Sequence, residues 1–304
     1  MEKIKAIIEI MRPANVIVGS VTTTISVLTV NEILRVEASI SLQPLMLAVF
    51  LVLSYFTYFS IAVAGNIVND IFDIEVDRVN RPSRPLPSGR LTVNEAKGLT
   101  VLFWATGVIL AFLTNIIGGI IAILFSIVGF TYASKGKVMG IIGNFMVSFS
   151  FAFGLIYGAI IVYFQLLGLI GIPSIIWLYF ITSFMVLQGR EIIKGMEDVE
   201  GDALRGVQTI ARRYGVLSAS KIAVISNIIG MIAFTLALTL SLTGFTPLPR
   251  ILFSILYIPG MISVGASTVF IKLGHSDKEK QRKASFLDKI GAFIGLFAFL
   301  IGVF

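Results

Sequence analysis

The chain has no cysteine and only one histidine, His275, among its 304 residues. The lack of cysteine excludes a disulfide framework and thiolate catalysis, and a single histidine excludes a histidine-based zinc site. Charged residues are scarce too, at 13% of the chain. In so apolar a chain, the net charge of +7 indicates contact with an anionic membrane surface rather than with nucleic acid.

Hydrophobic residues, in contrast, make up 56% of the chain, which exceeds the apolar share of ordinary soluble domains. They fall into about nine runs, each near the ~20 residues that a helix needs to cross a bilayer. We therefore predict an all-α integral membrane protein, with nine transmembrane helices in a bundle around a central cavity. The predicted spans cover residues 14–31, 43–66, 97–114, 116–134, 138–163, 172–193, 217–243, 250–272 and 285–304.

The basic residues test this count because cytoplasmic loops are enriched in lysine and arginine. With the N-terminus inside, 22 of the 24 basic residues fall on the inner side, and only Arg35 and Arg250 lie outside. The distribution predicts a multi-pass protein of the cell membrane with a cytoplasmic N-terminus.

Residues 1–13 lack the long apolar core of a signal peptide, and Ile4, Ile7 and Ile8 share one helical face. They predict an interfacial helix, followed by a single transmembrane domain within residues 1–304.

A first acidic segment follows the second predicted span. Its polar residues are spaced i, i+4, i+7 and i+11, which places them on one face of a helix: Asn66, Asp70, Asp73 and Asp77. Adjacent carboxylates repel each other unless a cation lies between them, and Mg²⁺ held by carboxylates commonly binds substrate phosphates as well. The arginines that come next, including Arg78 and Arg84, suit phosphate oxygens. The competing interpretation is a solvated acidic helix end.

A second acidic segment has nearly the same spacing at the inner end of the sixth predicted span. Its face carries Glu191, Lys194, Asp198 and Asp202. The number of spans before each segment puts both on the same side of the membrane, so their carboxylates can converge across the bundle.

A third polar element, Tyr132 and Lys135, ends the fourth span on this side as well. Alone, it is typical of an interfacial tyrosine and a snorkelling lysine. Beside two acidic segments, Lys135 becomes a plausible phosphate ligand. Two carboxylate faces, nearby cations and an apolar cavity together suit a diphosphate ester with a lipid tail, held through Mg²⁺.

These residues carry a resemblance to a known family. Asn69-Asp70-x-x-Asp73-x-x-x-Asp77, followed by Arg78-x-x-Arg81-Pro82, resembles the first motif of the UbiA-type intramembrane prenyltransferases. Asp198-x-Glu200-Gly201-Asp202 resembles the second motif, and Tyr132-x-x-Lys135 resembles the tyrosine–lysine element between them. The resemblance covers essentially the whole chain, and it implies an active site that opens on the cytoplasmic side.

The resemblance also implies roles for individual residues. An isoprenyl diphosphate would bind through Mg²⁺, ionise to an allylic cation and be attacked by an acceptor, with Asp70, Asp73, Asp198 and Asp202 as the catalytic residues. One metal would lie on Asp70, Asp73 and Asp77, near Asn66, and the other on Asp198 and Asp202. Arg78, Lys135 and Lys194 would hold the diphosphate, beside Tyr132.

The sequence constrains the identity of the acceptor less than that of the prenyl donor. Arg12-Pro13-x-Asn15 and the run from Ser83 to Gly89 most resemble archaeal members of the family, which add a second geranylgeranyl chain to geranylgeranylglyceryl phosphate. That acceptor carries a phosphate of its own, for which Arg12 and Arg84 are available, with Asn15 beside them. An aromatic acceptor such as 4-hydroxybenzoate, a quinone precursor, is the alternative within the family.

Two other classes of membrane protein use similar residues. A secondary transporter also buries ionisable groups in a helical bundle, but places them near the midplane rather than at the inner ends. A CDP-alcohol phosphotransferase binds Mg²⁺ through a single contiguous aspartate block, which this chain lacks.

Overall fold

The computed structural model of the protein describes residues 2–204, 206–242 and 250–302. These residues form thirteen α-helices and one short 3₁₀ turn, with no strand among them. The helices are α1 (Glu2–Met11), α2 (Pro13–Ala38), α3 (Pro44–Phe72), α4 (Ile74–Asn80), α5 (Val93–Thr114), α6 (Ile116–Ser134), α7 (Ile141–Leu167), α8 (Ser174–Glu197), α9 (Val199–Leu204), α10 (Ile210–Tyr214), α11 (Val216–Leu242), α12 (Arg250–Gly274) and α13 (Lys278–Ile301).

Nine of the helices in the described part of the chain are long and apolar enough to cross a membrane. They are α2, α3, α5, α6, α7, α8, α11, α12 and α13, so the predicted all-α membrane architecture with about nine spans is confirmed. Position 243 of the seventh predicted span and positions 303 and 304 of the ninth lie outside the described residues.

Several helices are longer than their predicted apolar spans. α2 continues past residue 31 to Ala38, where Arg35 donates to both carboxylate oxygens of Glu32 at 2.9 and 2.6 Å. α13 begins at Lys278 rather than 285, because Asp277 caps its N-terminus by accepting from the backbone N–H groups of Glu279 and Lys280. Hydropathy marks only the apolar part of a helix, whereas capping and ion pairs extend it into polar sequence.

The narrow break between α5 and α6 is formed by Asn115. Its extended backbone ends α5, and its side-chain oxygen accepts from Gly118 N–H at 2.9 Å to cap α6. Its side-chain amide donates to Ile161 O of α7 at 2.9 Å. Asn115 therefore separates two adjacent spans and joins them to a third helix.

The centre of the bundle combines close helix contacts with stacked aromatic rings. α7 approaches α2 through Gly154 and Gly158, where an added Cβ would lie 1.9 Å from Thr22 Oγ1 and 2.7 Å from Ser26 Cβ. Small residues at this spacing let helix backbones approach closely inside a membrane. Across the bundle, the rings of Tyr179 and Phe299 stack with centroids 3.8 Å apart. This packing leaves the polar segments at one end of the helices.

Candidate active site

The first acidic segment brings three carboxylates together. α3 ends at Phe72 and α4 begins at Ile74, so the single continuous helix predicted through this segment is interrupted at Asp73. Asp73 has φ −92° and ψ 0°, yet Asp73 N–H still donates to Asn69 O, and Asp77 N–H to Asp73 O. Because the helical bond pattern survives the break, Asp70, Asp73 and Asp77 remain on one face. One oxygen from each lies within 4.8 Å of the others.

Two arginines bind this carboxylate group, which we call the Asp triad (Asp70, Asp73 and Asp77). Arg84 donates to Asp77 Oδ2 and, at 3.3 Å, to Asp70 Oδ1. Arg12 donates to the same oxygen of Asp70. Asp70 and Asp77 are buried, so their negative charge would be costly without these guanidinium groups.

Arg12 reaches the triad from an unusual backbone position. It lies between α1 and α2 in the left-handed region, with φ 53° and ψ 56°, which is uncommon for a residue other than glycine. Asn66 of α3 fixes the same bend by donating from its side-chain amide to Met11 O at 3.1 Å. The predicted site residues Arg12, Asn66 and Asp70 therefore meet at the bend between α1 and α2.

Helix α1 is bound to the neighbouring elements by both apolar and charged contacts. Its Ala6 and Ile10 are buried, while Ile4 and Ile8 are exposed. Lys3 pairs with Glu95 of α5. Glu9 pairs with Arg90 at 2.8 Å, and this hydrogen bond raises the pKa of Arg90 above its usual value.

Arg84 is positioned by a proline-rich loop that is anchored in the bundle. Leu86 and Leu91 of this loop are buried, and Leu91 N–H donates to Pro85 O at 3.1 Å. Ser88 donates back to Arg84 O through both its backbone N–H and its hydroxyl, at 3.0 and 2.7 Å. The loop therefore has little freedom around Arg84, and its guanidinium is held over the triad.

The second acidic segment repeats the construction of the first. α8 ends at Glu197, Asp198 adopts φ −110° and ψ 28°, and α9 begins at Val199. Asp202 N–H donates to Asp198 O at 2.8 Å, so here too the helical bond pattern crosses the break. The continuous helix predicted through this segment is likewise interrupted at an aspartate. Aspartate side chains compete with the helix for backbone donors, which explains why both breaks occur at Asp.

Glycine at position 201 lets the Asp198 carboxylate lie close to the backbone. A Cβ added there would lie 2.2 Å from Asp198 Oδ1, so the carboxylate occupies the space of a missing side chain. Asp202 is buried, and Arg212 donates to its backbone oxygen at 3.0 Å. On the preceding turn of α8, Glu191 Oε1 accepts from Lys194 at 2.8 Å.

Tyr132, at the inner end of α6, is near residues of both acidic segments. The charges of Asp73, Arg12 and Glu191 all act on its hydroxyl. The turn that follows α6 contacts the loop after α9. At Gly140, whose φ is +61°, an added Cβ would lie 1.7 Å from Gln208 O. These contacts support the predicted convergence of the two segments.

Three further predicted substrate-binding residues are exposed. Asn15 is exposed on the first turn of α2, and Lys135 is exposed where α6 ends. Arg78 is also exposed and pairs with Glu75 one turn earlier on α4, at 2.9 Å. Each lies at the polar end of the bundle, and among the described residues none of the three is seen in a hydrogen bond or ion pair with the triad.

The residues present fit a divalent metal. Three carboxylate oxygens within 4.8 Å of one another form the hard oxygen donor set that Mg²⁺ prefers, and no cysteine or histidine competes for the ion. Arg12 and Arg84 supply positive charge at the same oxygens. The site is therefore built to hold cations against three carboxylates.

Sequence reasoning passed over one ionisable residue, Asp288. It lies inside the ninth predicted span and is fully buried in α13. Ionisable residues at membrane depth are functional by default, so the position of Asp288 within an apolar run was the signal that could have identified it.

Comparison with known proteins gives a consistent picture. Residues 16–299 match the UbiA prenyltransferase family. Digeranylgeranylglyceryl phosphate synthase of Sulfolobus acidocaldarius is 33% identical over 300 residues, which cover 98% of each chain. A solved structure of a digeranylgeranylglyceryl phosphate synthase superposes with a TM-score of 0.76 at 29% identity, covering 100% of this chain and 99% of that one.

A more distant solved structure shares the fold. A UbiA homolog from Archaeoglobus fulgidus, bound to GPP and Mg²⁺, superposes with a TM-score of 0.64 at 16% identity, covering 97% of this chain and 99% of that one.

Proposed function

Because the chain belongs to the UbiA prenyltransferase family, we propose that it transfers a geranylgeranyl group from geranylgeranyl diphosphate to geranylgeranylglyceryl phosphate, a step of archaeal ether-lipid synthesis. The protein is a multi-pass membrane prenyltransferase. The identity of the acceptor rests on the full-length similarity to digeranylgeranylglyceryl phosphate synthases. The observation that carries the chemistry is the Asp triad with its two arginines.

The acidic residues would hold the metal. Asp70, Asp73 and Asp77 would take one Mg²⁺, and Asp198 and Asp202 the other. Mg²⁺ bound there would neutralise charge on the diphosphate and so favour its departure. The basic residues of the same surface would take the remaining diphosphate oxygens: Arg78, Lys135 and Lys194, with Tyr132 between the two acidic segments.

Arg12 and Arg84 would change partners when substrates bind. Arg12 now pairs with Asp70, and Arg84 pairs with both Asp70 and Asp77. A metal on those carboxylates would supply the positive charge instead and would leave both arginine side chains available for phosphate oxygens. The phosphate of the acceptor is the ligand that we assign to them, with Asn15 and Asn66 beside Arg12.

The reaction breaks one C–O bond and forms another. The bond between C1 of the geranylgeranyl group and the diphosphate breaks, and both electrons leave with the diphosphate. The glycerol hydroxyl of the acceptor then attacks C1 of the allylic cation, forms an ether and loses its proton. A hydroxyl is a weak nucleophile, so the apolar bundle must exclude water from the cation for transfer to compete with hydrolysis.

We place this site on the cytoplasmic side of the cell membrane, in a single domain of residues 1–304 whose helices surround a central cavity. The support is the distribution of charge, since 22 of 24 basic residues lie on the side of the two acidic segments. The exposed Ile4 and Ile8 of α1 support its assignment as an interfacial helix that lies on the lipid surface.

The decisive experiment is a product assay with two acceptors. Purified protein receives geranylgeranyl diphosphate and Mg²⁺, together with either geranylgeranylglyceryl phosphate or 4-hydroxybenzoate, and products are identified by mass spectrometry. We expect the diether phosphate from the first acceptor and no prenylated product from the second. Transfer to the aromatic acid alone would contradict the proposed identity of the acceptor and would leave the prenyltransferase assignment unaffected.

A further inference from the structure

A second group of buried polar residues joins α8, α11 and α13. Asp288 of α13 is 0% exposed, and Asn227 of α11 is 1% exposed. The side-chain amide of Asn227 donates to Asp288 Oδ1 at 3.0 Å, and Ser267 of α12 lies beside the carboxylate. The other oxygen, Asp288 Oδ2, is buried and has no hydrogen-bond partner among the described residues. A carboxylate so deeply buried is costly unless a cation compensates it.

Arg190 of α8 lies near enough to Asp288 for its charge to act on the carboxylate, but no direct hydrogen bond joins the two side chains among the described residues. Asn227 Oδ1 lies 2.4 Å from the position that a Cβ on Gly189 would occupy, so Asn227 touches α8 at the residue before Arg190. Arg190 Nε is itself a buried donor without a hydrogen-bond partner among the described residues. Arg190 Nε and Asp288 Oδ2 are therefore buried polar atoms on adjoining helices, and the hydroxyl of Ser267 and Oδ1 of Asn227 near them also lack hydrogen-bond partners among the described residues. One buried water among these atoms would satisfy several of them at once.

The other arm of Arg190 reaches the second acidic segment. Its Nη1 donates to Glu191 Oε1 at 2.8 Å, and the same oxygen accepts from Lys194 at 2.8 Å. Glu191 in turn interacts electrostatically with Tyr132. Hydrogen bonds thus connect Arg190 through Glu191 to Lys194, and a single buried water would extend this path to Asp288.

We propose that Asp288 is a positioning residue for the diphosphate site. Its Oδ2 holds Arg190 Nε–H through one water, and the fixed guanidinium orients Glu191 and, through it, Lys194. Lys194 then presents its ammonium group in one place rather than sampling the several rotamers of an exposed lysine. The proposal rests on the proposed function, since it assigns Lys194 to the prenyl diphosphate.

The test measures binding, so it needs neither turnover nor the acceptor. The ligand is geranylgeranyl thiolodiphosphate, an unreactive analogue, titrated with Mg²⁺ into the full-length protein in detergent micelles. We expect Asp288→Asn, which keeps the side-chain volume but removes the charge, to raise the Kd about tenfold, the lower end of the effect of orienting partners at metal sites.

The double variant separates positioning from a general structural role. If Asp288 acts through Arg190, Asp288→Asn should have less than a twofold effect in an Arg190→Gln background, because the path is already broken. If the Kd of the double variant instead rises by the product of the two single-variant factors, the two residues act independently and the proposal is overturned.

Ser263→Ala is the matched structural control. Ser263 also joins α12 to α13, by donating to Leu287 O at 2.7 Å next to Asp288, but it does not lie on the path to Lys194. This variant should lower the unfolding temperature and leave the Kd unchanged. An Asp288→Asn variant with the same behaviour would overturn the proposal.

A second variant serves if Asp288→Asn does not fold. Asn227→Ser withdraws the donor to Asp288 Oδ1 while keeping the carboxylate, and it should raise the Kd severalfold. A wild-type Kd in folded Asn227→Ser would overturn the proposal. If wild-type protein does not bind the analogue at all, the proposed function fails instead, so the two failures are distinguishable.

Discussion

At the scale of single residues, the first acidic segment depends on a balance of charge. Asp70 and Asp77 are buried close together, and Arg84 is paired with both. Arg12 adds a second guanidinium at Asp70. Removal of one partner from a buried pair destabilises a protein by about 3–5 kcal/mol, because it leaves an uncompensated charge. The structure therefore makes the stability of the metal-free protein depend on its arginines.

The first prediction concerns Arg84→Ala. In EDTA the free energy of unfolding should fall by about 3 kcal/mol, because the buried Asp77 loses its arginine partner while Asp70 retains Arg12. Millimolar Mg²⁺ should recover much of this loss, since the ion replaces the missing charge. Unfolding in detergent micelles, with and without Mg²⁺, measures both effects.

Arg78→Ala is the control for this prediction. Arg78 pairs with Glu75, and both side chains are exposed, so the loss should stay below about 1 kcal/mol. Equal stability of the two variants in EDTA would show that the carboxylates do not need Arg84.

The second prediction concerns the metal. Prenyl transfer should disappear in EDTA and return with Mg²⁺, and Asp70→Asn or Asp202→Asn should lower kcat/KM at least about 100-fold. Glu279→Gln is the control, because Glu279 is an exposed acidic residue that lies outside both acidic segments and pairs with Lys283. Activity that persists in EDTA, or normal turnover of Asp70→Asn, would contradict the assignment of the triad.

At the scale of helices, the two acidic segments share one construction. In each, a long spanning helix ends at an aspartate, and a short helix continues after it: α3, Asp73 and α4, then α8, Asp198 and α9. The break does not rotate the later aspartate away, because the backbone bonds from Asp77 to Asp73 and from Asp202 to Asp198 persist. A short helix placed in this way carries carboxylates beyond the apolar part of the bundle while keeping them on its inner face.

The third prediction concerns the bend between α1 and α2. Arg12→Gly and Arg12→Ala both remove the guanidinium, but only glycine accepts the left-handed backbone at this position without strain. The glycine variant should be more stable by about 1 kcal/mol. Both variants should raise the KM for geranylgeranylglyceryl phosphate about tenfold, as expected for the loss of a hydrogen bond to a charged group.

The KM for geranylgeranyl diphosphate discriminates between the possible roles of Arg12. It should change less than twofold in both variants if Arg12 serves the acceptor. An unchanged KM for the acceptor would instead indicate that Arg12 only neutralises Asp70.

At the scale of the whole molecule, the two acidic segments should both face the cytoplasm. The fourth prediction uses the absence of cysteine, which allows single cysteines to be introduced without background. Cysteines at Ser83 and Ser218 should react with a membrane-impermeant maleimide only after cells are opened.

A cysteine at Glu37, exposed near the opposite end of α2, is the control and should react in intact cells. Labelling of Ser83→Cys or Ser218→Cys from outside would contradict the orientation.

Much of this architecture could be predicted from the sequence, because a membrane limits the possible structures. A lipid-facing helix must form all its backbone hydrogen bonds within itself and must be apolar for about 20 residues. Hydropathy alone therefore located the nine spans. The spacing of Asp70, Asp73 and Asp77 likewise placed them on one face, since helical periodicity is a local property. The breaks at Asp73 and Asp198 were not predicted, because periodicity is nearly unchanged across a single non-helical residue.

The sequence by itself thus determined the class of the protein, its spans and the residues of both acidic segments, because hydropathy and helical periodicity act over one or two turns of the chain. Only the tertiary structure decided which charges meet. The pairing of Arg12 with Asp70 crosses 58 residues, and that of Asn227 with Asp288 crosses 61. Such contacts depend on how helices far apart in the chain pack side by side, and no local pattern records that packing.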